Sequence, residues 1–326
     1  MKKNSKGIIA LSSAFMNDGY DATNLEQAYD KIKELASTAS KQSSREEIAE
    51  IVGYVVDSVI NQRLNFIDMI ADVKRVAQGD KAEFKLKYGG IKATLAAKSS
   101  TPEISKIRYK KTIVPTVEVQ SRPSIDYLEL VNNPETVMEV IEDAVVEMEN
   151  QVVTYVQSVL NTAYSSLSTP NYVSGAGVVK TTFDPQVRAM SRFGKPVILG
   201  DIEVATKLTA LTAFNSNVAD ALAIEHNTNG VIGTYLNANV VQLTNRYADD
   251  TSLALTNLVS DYDKLYVLPA GARDSRPLKV VYEGSTRAME QLNAEDESWE
   301  IFLRMNFGVE VIGIQLLMAI YNDTTL

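Results

Sequence analysis

An α+β fold is predicted by three features of the sequence. Apolar residues recur at helical spacing before residue 80 and again from 134 to 164. Apolar and polar residues alternate through most of 84–120, and short apolar runs separated by glycine turns follow after 195. The 326 residues, 45% of them hydrophobic, are enough for a substantial core. No stretch approaches the roughly 20 uninterrupted apolar residues of a membrane span, so no membrane partner is expected. The opening MKKNSKGIIALSSAFM imitates a secretory leader, but serines interrupt its apolar run and no small-residue cleavage site follows; no leader is expected. Zero cysteines exclude disulfides and thiolate metal sites, which suits a reducing compartment.

Within residues 22–36, Leu25, Ala28, Tyr29, Ile32 and Leu35 define a first helix. A second is expected after Ser44, with Ser44 and Glu47 as a capping box. It runs through Ile48, Ile51, Val52, Val55, Val59, Phe66, Ile70 and Val73 and stops at Gly79. Each helix reads either as an arm reaching a neighbour or as an ordinary packed element.

The stretch FKLKYGGIKATL, residues 84–95, admits two geometries. As a tight hairpin around Gly89 and Gly90 it sets Lys87 opposite Lys92, with Lys85 beside them, and like charges there repel. Alternatively, 83–96 goes out and 106–120 comes back as one long ribbon, with AAKSSTPEIS near its tip and a bulge at Gly89 and Gly90; this second geometry is favoured. In the returning strand Ile107, Tyr109, Ile113, Val117 and Val119 alternate with Arg108, Lys110, Thr112 and Glu118. Phe84, Leu86, Tyr88, Ile91, Ala93 and Leu95 form an apolar set that needs cover.

Charge is distributed unevenly. From Lys81 to Arg122 there are ten Lys plus Arg against three Glu, a net of +7, so the remainder of the chain carries −9 − 7 = −16. A net charge of −9 opposes tight binding to a phosphate backbone.

Asn133 and Pro134 signal the start of a helix from 134 to 164, about 46 Å long, with Val137, Ile141, Val145, Met148, Val152, Val156, Val159 and Ala163 as its apolar stripe. Between 134 and 166 it carries six acidic residues, Glu135, Glu139, Glu142, Asp143, Glu147 and Glu149, and no basic one. That pattern suits a solvated face or a partner surface.

Beyond the loop STPNYVSGAG the chain is mixed. KPVILGDIEVATKLTAL is a buried strand, a turn at Gly200 and a helix capped by Asp201; strands follow at 239–244, 264–268 and 278–283. ESWEIFLRMNFGVEV places Trp299, Ile301, Leu303, Met305, Phe307, Val309 and Val311 on one parity, and GIQLLMAIY is expected as a final buried strand.

Nothing in the sequence signals catalysis. ILGDIE lacks both glycine-rich phosphate motifs, and Asp201 puts negative charge where an anion would sit, so it reads as a structural turn. His226, the single histidine, has no second His or Cys for zinc and reads as a loop or helix-end residue. Asp249 with Asp250, and Asp261 with Asp263, fit no calcium loop and read as solvated turns.

The order of these parts resembles the major capsid protein of tailed bacteriophages, a fold shared with encapsulins and herpesvirus shells. The closest local matches are PVILGDIEVATKL, GVIGTYLNANVVQLTN, KLYVLP and WEIFLRMNFGVEVIGIQLLMAIY, within residues 80–326. The resemblance implies a helical N-terminal arm at 1–79, an extended loop at 80–123, and a peripheral domain at 124–194 with the 134–164 helix as its spine. It further implies an axial domain at 195–284, a long peripheral hairpin at 285–310 with NAEDE near its tip, and a final axial strand at 311–326.

What the resemblance implies for function is a non-enzymatic shell subunit with no catalytic, cofactor or metal site. Such a subunit assembles with itself into pentamers and hexamers of an icosahedral virion, in the host cytoplasm, around double-stranded DNA bound without sequence specificity; a portal is a further partner. Residues before the ribbon are too few for both an arm and the long scaffolding segment of some relatives, so a separate scaffold protein is expected. Contacts between copies are expected from Lys85, Lys87, Lys92, Lys110 and Lys111 on the ribbon, and from Glu139, Glu142 and Glu147 on the acidic helix. The lysine-to-asparagine cross-link of other relatives has no matched pair here and is not predicted. Two alternatives are an encapsulin compartment around a protein cargo and a cytosolic α/β enzyme.

Overall fold

The structure is a computed structural model that describes residues 30–35, 41–63, 67–88, 91, 93, 95, 104–126, 135–215, 231–243, 245–248, 251–270, 276–293, 298–312 and 315–326. Its helices are α1 (Gln42–Arg63), α2 (Ile67–Ile70), α3 (Glu135–Tyr164), α4 (Lys180–Ser191) and α5 (Ile202–Lys207). Its strands are β1 (Asp72–Val76), β2 (Glu83–Tyr88), β3 (Arg108–Ile113), β4 (Val117–Ser121), β5 (Ser124–Asp126), β6 (Tyr172–Gly175), β7 (Lys195–Gly200), β8 (Phe214–Asn215), β9 (Val231–Tyr235), β10 (Ala238–Gln242), β11 (Lys264–Ala270), β12 (Leu278–Leu292), β13 (Ser298–Val311) and β14 (Ala319–Asp323).

Of the first expected helix, residues 30–35 are described; they are helical and bury Ile32 and Leu35. α1 starts earlier than the expected capping box. The Ser44 and Arg45 N–H groups both donate to the Lys41 carbonyl, so Ser44 lies inside the first turn. Ile48, Ile51, Val52, Val55, Val56 and Ile60 are all buried, which makes α1 a packed helix rather than a projecting arm. The helix does not continue to Gly79. From Asp72 the chain becomes β1 and pairs in parallel with β12, because Asp72 and Lys279 lie at the same register position and meet at 2.8 Å, each compensating a charge that would otherwise be buried alone.

A five-stranded sheet runs β1-β12-β13-β4, with β5 also pairing to β13. The strand expected at 278–283 and the hairpin expected from 285 are one ladder, continuous from Leu278 opposite Val311 to Leu292 opposite Trp299. An irregularity between Glu283 and Arg287, containing Gly284 at φ +72°, is absorbed without ending the strand. Residues 294–297 of the expected tip lie outside the described residues. The odd-numbered apolar set from Trp299 to Val309 is buried, and Trp299 also donates its indole N–H to Glu290, which accepts from Arg45 of α1.

A seven-stranded sheet runs β6-β14-β11-β7-β10-β9-β8. The Gly200 turn forms as expected, and the Asp201 side chain caps α5 by accepting from the Glu203 N–H at 2.8 Å. The last strand begins only at Ala319. Gln315–Leu317 form a 3-10 turn instead, where the chain crosses from β13 of one sheet to β14 of the other.

One core serves both sheets. Ile141, Val145, Met148, Val152, Val156 and Leu160 of α3 share it with α1, with Trp299, Ile301, Leu303 and Phe307 of the five-stranded sheet, and with Leu199, Tyr266 and Ile320 of the seven-stranded one. The opposite face of the seven-stranded sheet, with Ile198, Leu265, Val267 and Tyr321, packs on α4 and α5 in a second core. A third, smaller core of Ala82, Phe84, Val114, Val281 and Ile312 lies where the ribbon leaves the body.

Candidate assembly surface

Of the favoured long ribbon the part next to the body is formed: β2 and β3 pair antiparallel from Glu83 opposite Ile113 to Tyr88 opposite Arg108, and residues 91, 93 and 95 are not in a strand. The tight-hairpin register, with Lys87 opposite Lys92, is not: Lys87 stands opposite Tyr109, and Lys85 opposite Lys111. Gly89, Gly90 and Lys92 lie outside the described residues. The return strand is shorter than the expected 106–120, because Pro115 offers no N–H to a ladder and β4, beyond it, pairs with β13 of the body.

This register corrects the expectation of one basic and one apolar face. Partners in an antiparallel ladder share a face, so Phe84 and Leu86 fall with Thr112 and Lys110, while Glu83 and Lys85 fall with Ile113 and Lys111. The apolar residues of β2 are even-numbered and those of β3 odd-numbered, and the pairing sets even beside even; Lys111 moreover interrupts the alternation of β3 between Tyr109 and Ile113. Both faces therefore combine apolar and basic side chains.

At its root the ribbon is tied to its own body. Phe84 is 1% exposed, with Lys74 Nζ at 4.5 Å and Lys279 Nζ at 5.5 Å from its ring centroid. Lys74 also donates to the Glu83 carbonyl. Beside the root Ile113 is exposed, and farther out so are Ile91, Leu95, Ile104, Ile107 and Tyr109, Leu95 and Ile104 nearly completely.

Lys85, Lys110 and Lys111 are exposed. Lys111 meets Glu83 at 2.6 Å, and this bond, followed by the Lys111 charge, holds the Glu83 carboxyl below the usual range. Part of the ribbon's charge is thus neutralised from within, by a residue that the sequence reading left unassigned. The signal for it was the single acidic residue at the start of the basic stretch.

On α3, Glu139, Glu142, Asp143 and Glu147 are exposed and, at this spacing, share one helical face. Glu149 points elsewhere. It pairs with Arg246 at 2.9 Å, and the Arg246 guanidinium also donates to the Val146 carbonyl and to Asn150, fastening the 243–260 segment to α3. A cleft of about 450 Å³ lies between α3 and β4, lined by Glu147, Met148, Gln151 and Tyr155 on one side and Val117 to Ser121 on the other. Glu118 and Glu147 make its rim acidic.

His226, Asp249 and Asp250 lie outside the described residues. Asp261 accepts from Asn161 and Lys264, while Asp263 is pushed up by burial and gives its backbone carbonyl to Asp323. Among the described residues no cluster of three or more His, Cys, Asp or Glu could hold a metal ion, and no helix is long and apolar enough to cross a membrane.

Solved phage structures share this fold. The structure of Mycobacterium phage Adephagia matches with a TM-score of 0.52 at 12% identity, covering 78% of this chain and 89% of that one. The head structure of Helicobacter pylori bacteriophage KHP40 matches with a TM-score of 0.51 at 11% identity, over 77% and 87% respectively. Gordonia phage Cozz gives a TM-score of 0.51 at 13% identity, over 79% and 86%. The architecture is that of tailed-phage major capsid proteins. No curated protein matches the sequence. Residues 5–320 match the family model described as "SPbeta prophage-derived putative capsid protein YonB", and the chain belongs to that family. It is a structural subunit of a phage capsid and not an enzyme.

Proposed function

We propose that this capsid subunit closes its shell by laying the basic ribbon across an adjacent copy, on the surface formed by the acidic face of α3 and the cleft beside β4. One observation carries the reading: Tyr109 and Ile113 on the two-stranded ribbon, and Ile91, Leu95, Ile104 and Ile107 on the chain beyond it, are exposed, and a two-stranded element is too slender to cover them. Lys85, Lys87, Lys92, Lys110 and Lys111 supply charge opposite to that of Glu139, Glu142 and Glu147. Each exposed pair contributes about 0.2–1 kcal/mol, so charge sets encounter and register while buried apolar area supplies most of the affinity.

In this reading 80–123 is the extended loop, 124–194 and 285–310 form the peripheral domain, and 195–284 with 311–326 form the axial one. The copies join as pentamers and hexamers of an icosahedral shell, assembled in the host cytoplasm on a separate scaffold protein and around a portal. The shell encloses double-stranded DNA; the net charge of −9 is compatible, since the wall confines DNA without gripping it.

Electron microscopy of the purified protein tests the reading, with particles tens of nanometres across expected and a small discrete oligomer overturning it. Reversing Lys85, Lys87 and Lys92 together to Glu leaves the subunit folded and impairs shell formation; normal yield and salt tolerance from that variant would reject the ribbon's role. Particles that carry a protein cargo and no nucleic acid would reject the DNA container.

A further inference from the structure

We infer that Glu283 positions the ribbon, by holding both of its stalks with one carboxylate. The inference rests on the ribbon being the arm that joins copies, and it concerns how that arm is aimed.

Two chain segments connect the ribbon to the body. The outgoing one leaves β1 through a turn closed by the Asp80 N–H donating to the Ala77 carbonyl, with Gly79 at φ +85°. The returning one passes Val114, Pro115 and Thr116 before joining the body as β4. They are far apart in sequence, yet the Gly79 N–H donates to Oε1 of Glu283 at 2.8 Å and the Thr116 hydroxyl donates to Oε2 at 2.7 Å. One oxygen serves each stalk.

The surrounding backbone is shaped for this arrangement. Glu283 is the last regular residue of β12 before its irregularity, and Gly284 follows at φ +72° with Gln78 of the outgoing turn packed against it; a Cβ there would stand 3.3 Å from the Gln78 Cβ. On the neighbouring strand, a Cβ on Gly308 would stand 2.5 Å from the Pro115 carbonyl oxygen, so the returning stalk lies directly on β13 because residue 308 has no side chain. The Thr116 hydroxyl first, and then the Gly79 N–H, hold the Glu283 carboxyl below the usual glutamate range, so both hydrogen bonds are made to an ionised acceptor at neutral pH.

The small core of Ala82, Phe84, Val114, Val281 and Ile312 fastens the root but is centred on apolar contacts, which resist separation more than rotation. Directional bonds to both stalks fix the remaining angle. Glu283 is therefore a positioning residue: it touches no partner in the reading above, and acts by presenting the ribbon at one inclination.

The chain has no cysteine, so two introduced cysteines are the only labelling sites. With spin labels at Lys110→Cys on the ribbon and Glu203→Cys on the body, pulsed electron paramagnetic resonance of the unassembled subunit reads the ribbon's angle as a distance distribution. Glu283→Ala is expected to broaden that distribution at least twofold, Thr116→Val to broaden it less, and Glu283→Gln, which keeps an acceptor, to stay closer to the parent. Thr116→Val removes one exposed hydroxyl and keeps the test alive should Glu283→Ala fail to fold. A distribution unchanged in both position and width by Thr116→Val and by any folded Glu283→Ala protein would overturn the inference. Particle yield from the unlabelled variants separates the two readings: a broadened distribution with fewer particles supports both, whereas a broadened distribution with normal yield keeps the clamp and rejects the ribbon as the joining arm.

Discussion

The seven-stranded sheet and the ribbon are both built from alternating strands, and they differ in where each finds its partners. In the sheet the side chains of each parity meet a core of their own. Leu265 and Val267 pack toward α4 and α5, while Tyr266 and Leu268 pack toward α3. The deeply buried Asp323 carboxylate of β14 is fully served: it accepts from Lys207, the Gly177 N–H, and the N–H and hydroxyl of Thr325. Among the described residues of the ribbon the root is covered, and Ile91, Leu95, Ile104, Ile107 and Tyr109 beyond it face solvent. The first is complete within one polypeptide; the second leaves apolar side chains uncovered, as the proposed interface requires. Substitutions in the sheet should therefore be felt in subunit stability, and those in the ribbon in assembly.

The largest effect is expected at Phe183, buried against Tyr235 and Tyr321 with ring centroids 5.6 Å from each. Phe183→Ala should cost about 3–5 kcal/mol in chemical denaturation of the subunit. A loss under about 1 kcal/mol would show that the sheet is less self-contained than its packing indicates.

Asp323→Ala comes next, at about 3 kcal/mol, because it strands the donors that converge on a fully buried carboxylate. Burial alone would raise this group, but Lys207, Thr325 and the Gly177 N–H outweigh it and hold the pKa at about 2, against 3.8 when unperturbed. The folded value is depressed, so the stabilisation is present above pH 3.8 and is lost as pH falls toward 2. The difference between parent and variant should accordingly shrink over that window in acid denaturation, and a constant difference would count against this account.

On the ribbon the expected effect changes kind. Replacing Ile107, Tyr109 and Ile113 together by Ser should move subunit stability by no more than about 0.5 kcal/mol. Particle yield should nevertheless fall by roughly tenfold or more, since each 1.4 kcal/mol lost per contact is a factor of ten. Unfolding of this variant would mean that the ribbon belongs to the body after all. The smallest effect is expected for Lys111→Ala, which removes an exposed ion pair with Glu83 and should cost under about 0.5 kcal/mol in the subunit.

Elements defined by local periodicity were legible in the sequence. The spacing of Ile141, Val145, Met148 and Val152 announced α3, the Gly200–Asp201 step announced a strand followed by a capped helix, and the odd-numbered residues from Trp299 announced the buried face of β13. Features that depend on which strands meet were not. β1 looked helical because Val73 continues the spacing of α1; only the parallel pairing with β12 and the Asp72–Lys279 contact make it a strand. The mixed faces of the ribbon are likewise a property of register. Phe84 stands in a clean alternation and Tyr109 in one interrupted by Lys111, and nothing within either strand reveals how the two are set against each other. Glu283 was invisible for the same reason, since Gly79 and Thr116 approach it only after three separate segments converge.

The common core around α3 has a mechanical meaning. The helix is about 45 Å long and is gripped from two sides by different sheets, so flexing it would prise apart Trp299, Phe307, Tyr266 and Ile320 together. Each subunit should thus behave as a stiff tile. Under load from within, a wall made of such tiles yields at its joints before its panels buckle.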